Sequence, residues 1–138
     1  MSRFEKSERL HSKKAINKIV EKANCINGRV FRLLWNITQD NVSYPARIAI
    51  SVPKRNFKNA VSRNLLKRRI KECYRNNKQQ FYSQLNNSGI QVNILLIYTK
   101  KIIIKSSEIE PEIILTLQSL INEIEGKKKE NENSKKRN

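Results

Sequence analysis

The sequence predicts one small α/β domain, in which a mixed β-sheet of about four strands packs against helices in the order α-β-β-α-β-α. Its 138 residues are enough for one domain and leave little room for a second. Apolar segments typical of strands alternate along the chain with segments whose apolar residues recur at helical spacing. This alternation of strands and helices is typical of layered α/β domains.

The first half of the chain predicts one helix followed by two strands. Apolar residues recur every three or four positions over 7–23, which predicts an amphipathic helix with Ser7 as its N-cap. Turn residues over 24–28 separate this helix from a strand over 29–38, which is rich in β-branched and aromatic residues. A second strand is predicted over 47–52, where apolar residues alternate with others until a proline ends it.

The second half predicts two helices on either side of a third strand. The pattern over 57–82 indicates a long helix with fraying near its two adjacent asparagines. A strongly apolar strand is predicted over 92–99, and residues 102–104 continue it or pair with it again. Pro111 stands near the start of a final amphipathic helix that ends near Glu125.

The end of the chain differs in composition from everything before it. From Gly126 onward the sequence GKKKENENSKKRN contains no apolar residue. Such a segment cannot bury enough apolar surface to offset the entropy of ordering it. We therefore expect a folded domain over 1–125 and a disordered basic tail over 126–138 that attracts RNA by general electrostatics.

The charge balance indicates an anionic partner. The chain has 29 Lys and Arg residues against 12 Asp and Glu residues, so its net charge is +17. Self-repulsion of this size favours a nucleic-acid partner that neutralises it. No segment reaches the roughly 18 apolar residues of a membrane span, and the basic start of the chain lacks the apolar core of a secretory signal. Cys25 and Cys73 are too isolated for a zinc site and fit a reducing compartment. We expect a cytoplasmic protein, monomeric by itself, with no membrane partner.

Groups that could catalyse a reaction are scarce. His11 is the only histidine and Asp40 the only aspartate, so no Ser-His-Asp or Cys-His arrangement stands out. Glu72 is the one carboxylate between Asp40 and Ser107. A two-metal nuclease needs several convergent carboxylates, so the sequence argues against a metal-dependent nuclease. We assign no catalytic residue and no metal site to the protein itself.

The most informative segment is the basic stretch over 54–78. It holds ten basic residues and one acidic residue, a net charge of +9 over 25 positions. On a helix, most of these cations, including Lys78, share an arc of roughly 140° with Asn64, opposite the apolar residues. A solvated helix face usually mixes both signs of charge, so this arrangement favours contact with phosphate oxygens. The predicted RNA-binding residues are Lys54, Arg55, Lys58, Asn59, Arg63, Asn64, Lys67, Arg68, Lys71 and Arg75.

The same stretch carries a family resemblance. The segments ISVPKR at 50–55 and NAVSRNLLKRRI at 59–70 resemble the protein subunit of bacterial ribonuclease P. In that family a strand ending in S-V-x-K-[KR] precedes a helix with A-V-x-R-N-R-x-K-R. The resemblance covers about residues 7–125, because the Arg-Leu pair before the first helix and the last strand also align in order. Two departures are that Leu65 replaces the third residue of R-N-R and that the link before the helix is one residue longer.

The resemblance implies an RNA-binding cofactor of a ribozyme. In ribonuclease P, a catalytic RNA that holds Mg²⁺ removes the 5′ leader from precursor tRNA, and the protein docks on this RNA through the R-N-R helix. The implied partners are that catalytic RNA and precursor tRNA, and the implied enzyme is a ribonucleoprotein endoribonuclease. A ribosomal or architectural RNA-binding protein is the alternative, because it shares the charge pattern and only the strand-to-helix motif separates the two.

The resemblance also implies a cleft for the leader between the first helix and the sheet. The residues assigned to this cleft are Lys13, Ile16, Val20, Phe31 and Trp35. Phe is frequent in the family where this chain has Ile16 and Val20, so base stacking would rest on Phe31 and Trp35. These two aromatic residues are four positions apart on a predicted strand and therefore share a face. A role in the core is the open alternative for both.

Overall fold

The structure is a computed structural model that describes residue 4 and residues 6–22, 24–39 and 43–136, with the backbone alone at 22 and 128–136. A short 3₁₀ turn over Lys6–Glu8 precedes seven regular elements. These are α1 (Lys13–Lys22), β1 (Asn24–Asn27), β2 (Phe31–Thr38), β3 (Ala46–Ser51), α2 (Ala60–Ser88), β4 (Gln91–Tyr98) and α3 (Ser106–Lys136). The observed order, α-β-β-β-α-β-α, contains one strand more than the predicted order.

The four strands form one mixed sheet in the order β1-β2-β4-β3, which confirms the predicted architecture. β2 pairs antiparallel with β1 and β4, whereas β3 pairs parallel with β4. The strand absent from the prediction is β1, whose sequence NCIN gives no clear periodic signal and which exists because it pairs with β2. Residues 102–104 form no strand, so the suggestion that they extend the sheet is wrong.

The two faces of the sheet are covered unequally. On one face Phe31, Leu33 and Trp35 of β2 are fully buried in a large core with α2 and α3. On the other face Leu34 belongs to a smaller cluster that includes Ile19 of α1. Because neighbouring residues of a strand point to opposite faces, β2 contributes to both layers. Two long helices therefore cover one side of the sheet and one short helix covers the other.

The first helix begins later than the sequence predicts. Ser7 lies in the 3₁₀ turn, and the N-cap is Ser12, whose Oγ accepts a hydrogen bond from the Ala15 N–H at 3.3 Å. The intervening chain is extended, because the Leu10 N–H donates to the Ile48 carbonyl of β3 at 2.9 Å. The predicted end of this helix, position 23, lies outside the described residues.

The second helix is shifted toward the C-terminus relative to its prediction. It starts after Asn59, whose side-chain oxygen accepts from the Val61 N–H at 2.8 Å. It continues without a break past Tyr82 to Ser88, where Gly89 adopts the left-handed conformation at φ 67°. Glycine ends helices readily in this conformation because it has no Cβ. Asn59, predicted to contact RNA, thus serves as the helix cap.

The last helix is longer than predicted at both ends. It begins at Ser106, so Pro111 stands inside its second turn rather than at its start. Its helical backbone continues through Gly126 to Lys136, where the sequence predicts a disordered tail after Glu125. Lys and Glu are good helix formers, so they can extend an existing helix without apolar contacts. Residues 137–138 lie outside the described part, and the division at 125 stays a prediction.

A buried ion pair fixes the N-terminal segment to α2. Lys78 Nζ lies 2.8 Å from both carboxylate oxygens of Glu8, and the two side chains are 6% and 0% exposed. The Tyr82 hydroxyl also donates to this carboxylate, and burial raises the pKa of Tyr82 so that the donor proton is retained. The sequence placed Lys78 on the solvent-facing basic arc, which is wrong because the ammonium group turns inward to Glu8.

Replacing Glu8 with alanine should destabilise the fold strongly. The Lys78 ammonium would stay buried without its partner, a change that costs about 3–5 kcal/mol in comparable pairs. Urea denaturation of Glu8→Ala and of the double variant Glu8→Leu with Lys78→Met measures the effect. The double variant should lose much less free energy of unfolding, because no charge remains buried. Equal and small losses in both variants would contradict this account.

Candidate nucleic-acid interface

The loop that leads into α2 presents cations to solvent. After β3, residues 54–56 form a turn in which Lys54 and Arg55 are exposed, and Lys58 is exposed just before the helix. Phe57, between them, is buried in the main core and fixes the path of the loop. The sequence predicted all three cations as RNA contacts, and that role stays a prediction.

A basic depression lies along the exposed side of α2. It has a volume of about 380 Å³ and is lined by Phe4, Arg9, Asn64, Lys67, Arg68, Lys71, Glu72 and Arg75. Helical spacing of three and four residues brings the α2 members together on one surface. Five of the ten predicted RNA-binding residues thus share one site. We name this group of eight residues the α2 depression.

The N-terminal segment adds two residues to this site that sequence reasoning did not assign to it. Arg9 is held by its bridge to Ile48 of β3, and its guanidinium carbon lies 5.2 Å from the centre of the Phe4 ring. Arg9 follows Glu8, so the buried pair with Lys78 also positions this cation. Only the resemblance to the family motif drew attention to Arg9 in the sequence.

The α2 depression is crowded with positive charge. Burial lowers the pKa of Lys71, and the charges of Arg9 and Lys67 lower it further. Glu72 is the one acidic residue of the depression, and its Oε2 lies 2.8 Å from Nη2 of Arg75. Cations held this close repel one another in the absence of an anion. The arrangement can therefore gain stability from a bound phosphate group.

Several basic residues of α2 bond to the protein's own backbone. Arg63 donates through Nη1 to the carbonyl oxygens of Phe57 and Lys58, at 2.7 and 3.0 Å. Arg69, on another side of the helix, donates to the Ile104 carbonyl at 2.8 Å. Arg63 thus holds the loop before α2, and Arg69 holds the loop between β4 and α3. The sequence treated Arg63 as an RNA contact, and the structure adds this structural role.

A groove lies on the opposite side of the sheet, beside α1. Its volume is about 620 Å³, and its lining is Ser12, Lys14, Ala15, Lys18, Asn36, Ile37, Thr38, Gln39 and Asn93. We name it the α1 groove. Its two cations are Lys14 and Lys18, whereas Lys13 lies outside the lining. Ile16 packs partly buried against the small core under α1, and Val20 is 60% exposed.

The two aromatic residues assigned to a leader cleft are in the core. Phe31 and Trp35 are each 0% exposed and face α2 and α3, so the prediction that they line an open cleft is wrong. The Trp35 Nε1 donates to Glu123 of α3 at 3.1 Å, and the Lys127 ammonium lies 5.0 Å from the centre of its ring. Phe31 and Trp35 do share one face of the sheet, as the sequence predicts, but α1 packs against the opposite face.

The described part of the chain gives two further observations. None of its helices combines the length and apolar character needed to cross a bilayer. Within the same ranges, no group of three or more His, Cys, Asp or Glu side chains is placed to hold a metal ion.

The fold and these surfaces define a class of protein: a basic α/β domain with two distinct cationic sites suited to RNA. A family model described as Ribonuclease P matches residues 4–116. The chain is 32% identical over 101 residues to a ribonuclease P protein component from Chlorobium phaeobacteroides, covering 67% of this chain and 69% of the relative. It is 40% identical over 78 residues to one from Petrotoga mobilis, covering 56% and 63%.

Solved structures show the same fold. The ribonuclease P protein of Staphylococcus aureus matches with a TM-score of 0.62 at 22% identity, covering 82% of this chain and 94% of that one. The protein from Thermotoga maritima also matches with a TM-score of 0.62, at 20% identity, covering 80% and 96%. The chain belongs to the ribonuclease P protein family. It is therefore the protein cofactor of a ribozyme that processes precursor tRNA at its 5′ end, not an architectural RNA-binding protein.

Replacing Trp35 with alanine should destabilise the protein rather than remove a binding surface. Loss of a large buried aromatic side chain costs about 3–5 kcal/mol, which thermal and urea unfolding would measure. The matched variant Trp35→Phe keeps most of the volume and loses the hydrogen bond to Glu123, so it should cost about 1 kcal/mol. A Trp35→Ala protein of normal stability with selectively weakened leader binding would contradict the core assignment.

Proposed function

We propose that the chain uses two surfaces on opposite sides of its sheet to bind two RNA partners. The α2 depression docks on the catalytic RNA, and the α1 groove holds the 5′ leader of precursor tRNA. The observation that carries the proposal is the placement of separate cationic sites on the two sides of the molecule. With two separate sites, one RNA can stay bound while the other is exchanged.

The α2 depression suits a structured RNA. Arg68 offers a planar fork that matches phosphate oxygens, while Lys67 and Lys71 offer point charges. Asn64 is exposed between them and can bond to the backbone or to a base. The exposed cations of the preceding loop, Lys54, Arg55 and Lys58, would contact the same RNA. Leu65, where the family has a second arginine, is half-buried, and Arg9 brings a guanidinium to the depression from another element.

The α1 groove suits a single strand. Lys14 and Lys18 lie one helical turn apart on α1 and border a polar strip of β2 and β4. Lysines at such an edge can follow a phosphate backbone while the bases face the sheet. The leader contacts proposed from the sequence at Lys13, Ile16 and Val20 belong to the same helix. Phe31 and Trp35 are buried on the other face of the sheet and take no part in this binding.

We also propose that the Mg²⁺ ions for cleavage are held by the catalytic RNA. Several carboxylates of the described residues bond to other side chains of the protein, for example Glu8 to Lys78, Glu112 to Arg29 at 2.9 Å, and Glu123 to Trp35. The remaining parts of the proposal are a monomeric protein in the cytoplasm and a folded unit over 1–125. The basic residues after 125 would add non-specific attraction to RNA.

Replacing Lys71 with glutamine should weaken RNA binding and slightly stabilise the free protein. The lowered pKa of Lys71 means that its positive charge destabilises the fold. This cost is present below the lowered pKa and disappears as pH rises toward the ordinary lysine value. At neutral pH the variant should therefore be slightly more stable than the wild type, by an amount that solvent screening keeps small at this partly exposed side chain. Its affinity for the catalytic RNA should fall about 5- to 30-fold, as expected when one charge-assisted hydrogen bond is removed.

Filter binding at several salt concentrations and thermal unfolding measure the two effects of Lys71→Gln. The matched control is Arg68→Gln, at an exposed neighbour in the same depression. It should lose affinity without gaining stability. A Lys71→Gln protein that binds the catalytic RNA as tightly as the wild type would remove this residue from the docking surface.

Replacing Lys14 and Lys18 together with alanine should weaken binding of the leader alone. Affinity for precursor tRNA with a long leader should fall, while affinity for mature tRNA and for the catalytic RNA stays the same. The log–log dependence of leader binding on salt should become shallower by about 0.7 for each phosphate that the variant no longer neutralises, the value for single strands.

The measurement for this pair uses the holoenzyme reconstituted from the protein and ribonuclease P RNA. Lys101→Ala, at an exposed lysine of the loop after β4, is the matched control and should leave leader binding intact. Equal loss of affinity for mature and precursor tRNA would show that the α1 groove is not the leader site.

A further inference from the structure

An exposed pair of isoleucines lies in the loop between β4 and α3. Ile102 and Ile103 are 65% and 42% exposed, whereas Ile104 beside them packs against the main core. Hydrogen bonds hold the backbone around this pair. The Tyr98 hydroxyl donates to the Ile102 carbonyl at 2.7 Å, and Arg69 donates to the Ile104 carbonyl at 2.8 Å. The loop therefore presents two large apolar side chains to solvent in a defined position.

The loop between β3 and α2 meets this loop at one edge of the sheet. β3 and β4 are parallel, with Ser51 opposite Ile97, so the loops that follow them leave the same edge. Phe57 of the first loop packs against Tyr98 at the end of β4, and the centres of the two rings are 6.0 Å apart. We name the residues over 53–58 and 99–105 the loop edge.

The loop edge carries positive charge only. Its charged residues are all Lys or Arg, and the exposed ones include Lys54, Arg55, Lys58 and Lys105. A second copy of this chain would bring the same charges to the contact and be repelled. Exposed apolar side chains surrounded by charged ones are typical of an interaction site. The loop edge therefore fits an anionic partner that also has an apolar surface.

A second exposed apolar pair lies in the opposite electrostatic setting. Ile114 and Leu115 of α3 are 46% and 61% exposed, much like the pair in the loop edge. The surrounding segment over 106–126 contains five glutamates and no Lys or Arg. Negative charge repels a polyanion, so the α3 pair is unsuited to one. The chain thus supplies its own matched comparison for the loop edge.

We propose that the loop edge is a second contact surface for the catalytic RNA, at which Ile102 and Ile103 pack on the exposed face of a base. This inference rests on the proposed docking of α2 on that RNA. RNA combines negative phosphates with flat apolar base faces. Isoleucine is among the side chains that pack against bases in nucleic-acid complexes while neighbouring cations contact the backbone. Lys54, Arg55 and Lys105 would hold the flanking phosphates.

The helix that carries the α2 depression also holds both loops of the loop edge. Arg63 donates to the carbonyls at 57 and 58, and Arg69 donates to the carbonyl at 104. Asn64 and Lys67 of the depression lie between these two arginines, which are about 9 Å apart along the helix axis. This proximity favours RNA over an anionic bilayer as the partner. A loop that is already held in place also loses little entropy on binding.

The apolar contact can be separated from the charged ones by its dependence on salt. The full chain with Ile102→Ser and Ile103→Ser is compared with the wild type in filter binding to ribonuclease P RNA over a range of salt concentrations. Affinity should fall about 5- to 30-fold at every salt concentration, as expected for the loss of two apolar contacts. The log–log slope should stay the same, because an apolar contact releases no counterions. Thermal unfolding should be unchanged, since both side chains are exposed in the free protein.

Two further variants provide the matched controls. Ile114→Ser with Leu115→Ser removes a similar apolar pair from the acidic segment of α3 and should leave affinity for the RNA unchanged. Lys105→Ala removes one charge from the loop edge. It should make the log–log slope shallower by about 0.7 to 0.9, the range for one phosphate in single strands and duplexes. If the isoleucine double variant fails to fold, Ile102→Ser at the more exposed position carries the same prediction.

The outcomes separate this inference from the docking on which it rests. Wild-type affinity in the isoleucine variant, or equal losses in both apolar double variants, overturns the loop edge as an RNA contact. A loss confined to low salt assigns the effect to charge and overturns the apolar contact. Weakened sedimentation with phosphatidylglycerol vesicles at unchanged RNA affinity assigns the pair to a bilayer instead. Wild-type affinity in both Lys71→Gln and Arg68→Gln overturns the α2 docking itself, whatever the isoleucine variant shows.

Discussion

The alternation of side chains along β2 and β4 is the constraint on which the rest of the structure depends. These two strands are adjacent in the sheet, and helices pack on both of their faces. Trp35 and Ile94 point to the side of α2 and α3, whereas Leu34 and Leu95 point to α1. A shift of register by one residue would exchange these faces. The same alternation places Asn36 in the groove beside α1.

The unequal lengths of the helices determine which surfaces on the two sides of the sheet stay exposed. α2 and α3 have 29 and 31 residues, so they can cover their side of the sheet and still present a solvent face. α1 has only ten residues and covers the middle of the other side. The part of the sheet that α1 leaves open borders the groove assigned to the leader. The exposed face of α2 carries the cations assigned to the catalytic RNA.

The distribution of charge shows a balance between stability and binding. Lys78 forms a buried ion pair with Glu8, and Arg63 donates hydrogen bonds to backbone carbonyls of the loop before α2. Arg9, placed by the segment that Glu8 anchors, joins Lys67 and Lys71 in a site where like charges repel. Some basic residues therefore hold the fold together while others destabilise the unliganded protein. A polyanionic partner that binds there neutralises the repelling charges and so removes the destabilisation that they cause in the unliganded protein.

Much of the architecture and one of the two sites follow from local properties of the sequence. The apolar periodicity of α2 and the alternation in β3 are set by near neighbours, so they predict the element and the face that is buried. The concentration of cations on α2 follows from the same periodicity and was predicted together with an RNA partner. Asn36 and Asn93, which line the α1 groove, could also have been noticed, because each is a polar residue with apolar neighbours on both sides in the sequence.

Tertiary structure alone decided the rest, because it depends on residues far apart in the chain. β1 exists through its pairing with β2, and Lys78 turns inward only because Glu8, 70 positions earlier, lies beside it. The sequence showed that Phe31 and Trp35 share a face but could not show which helix covers that face. Periodicity fixes the relative orientation of neighbouring side chains, whereas the partner of each face is fixed by packing between distant segments. The sequence by itself determined an α/β RNA-binding domain with a basic helix, and the packing of α1 against the opposite face decided where the groove proposed for the leader lies.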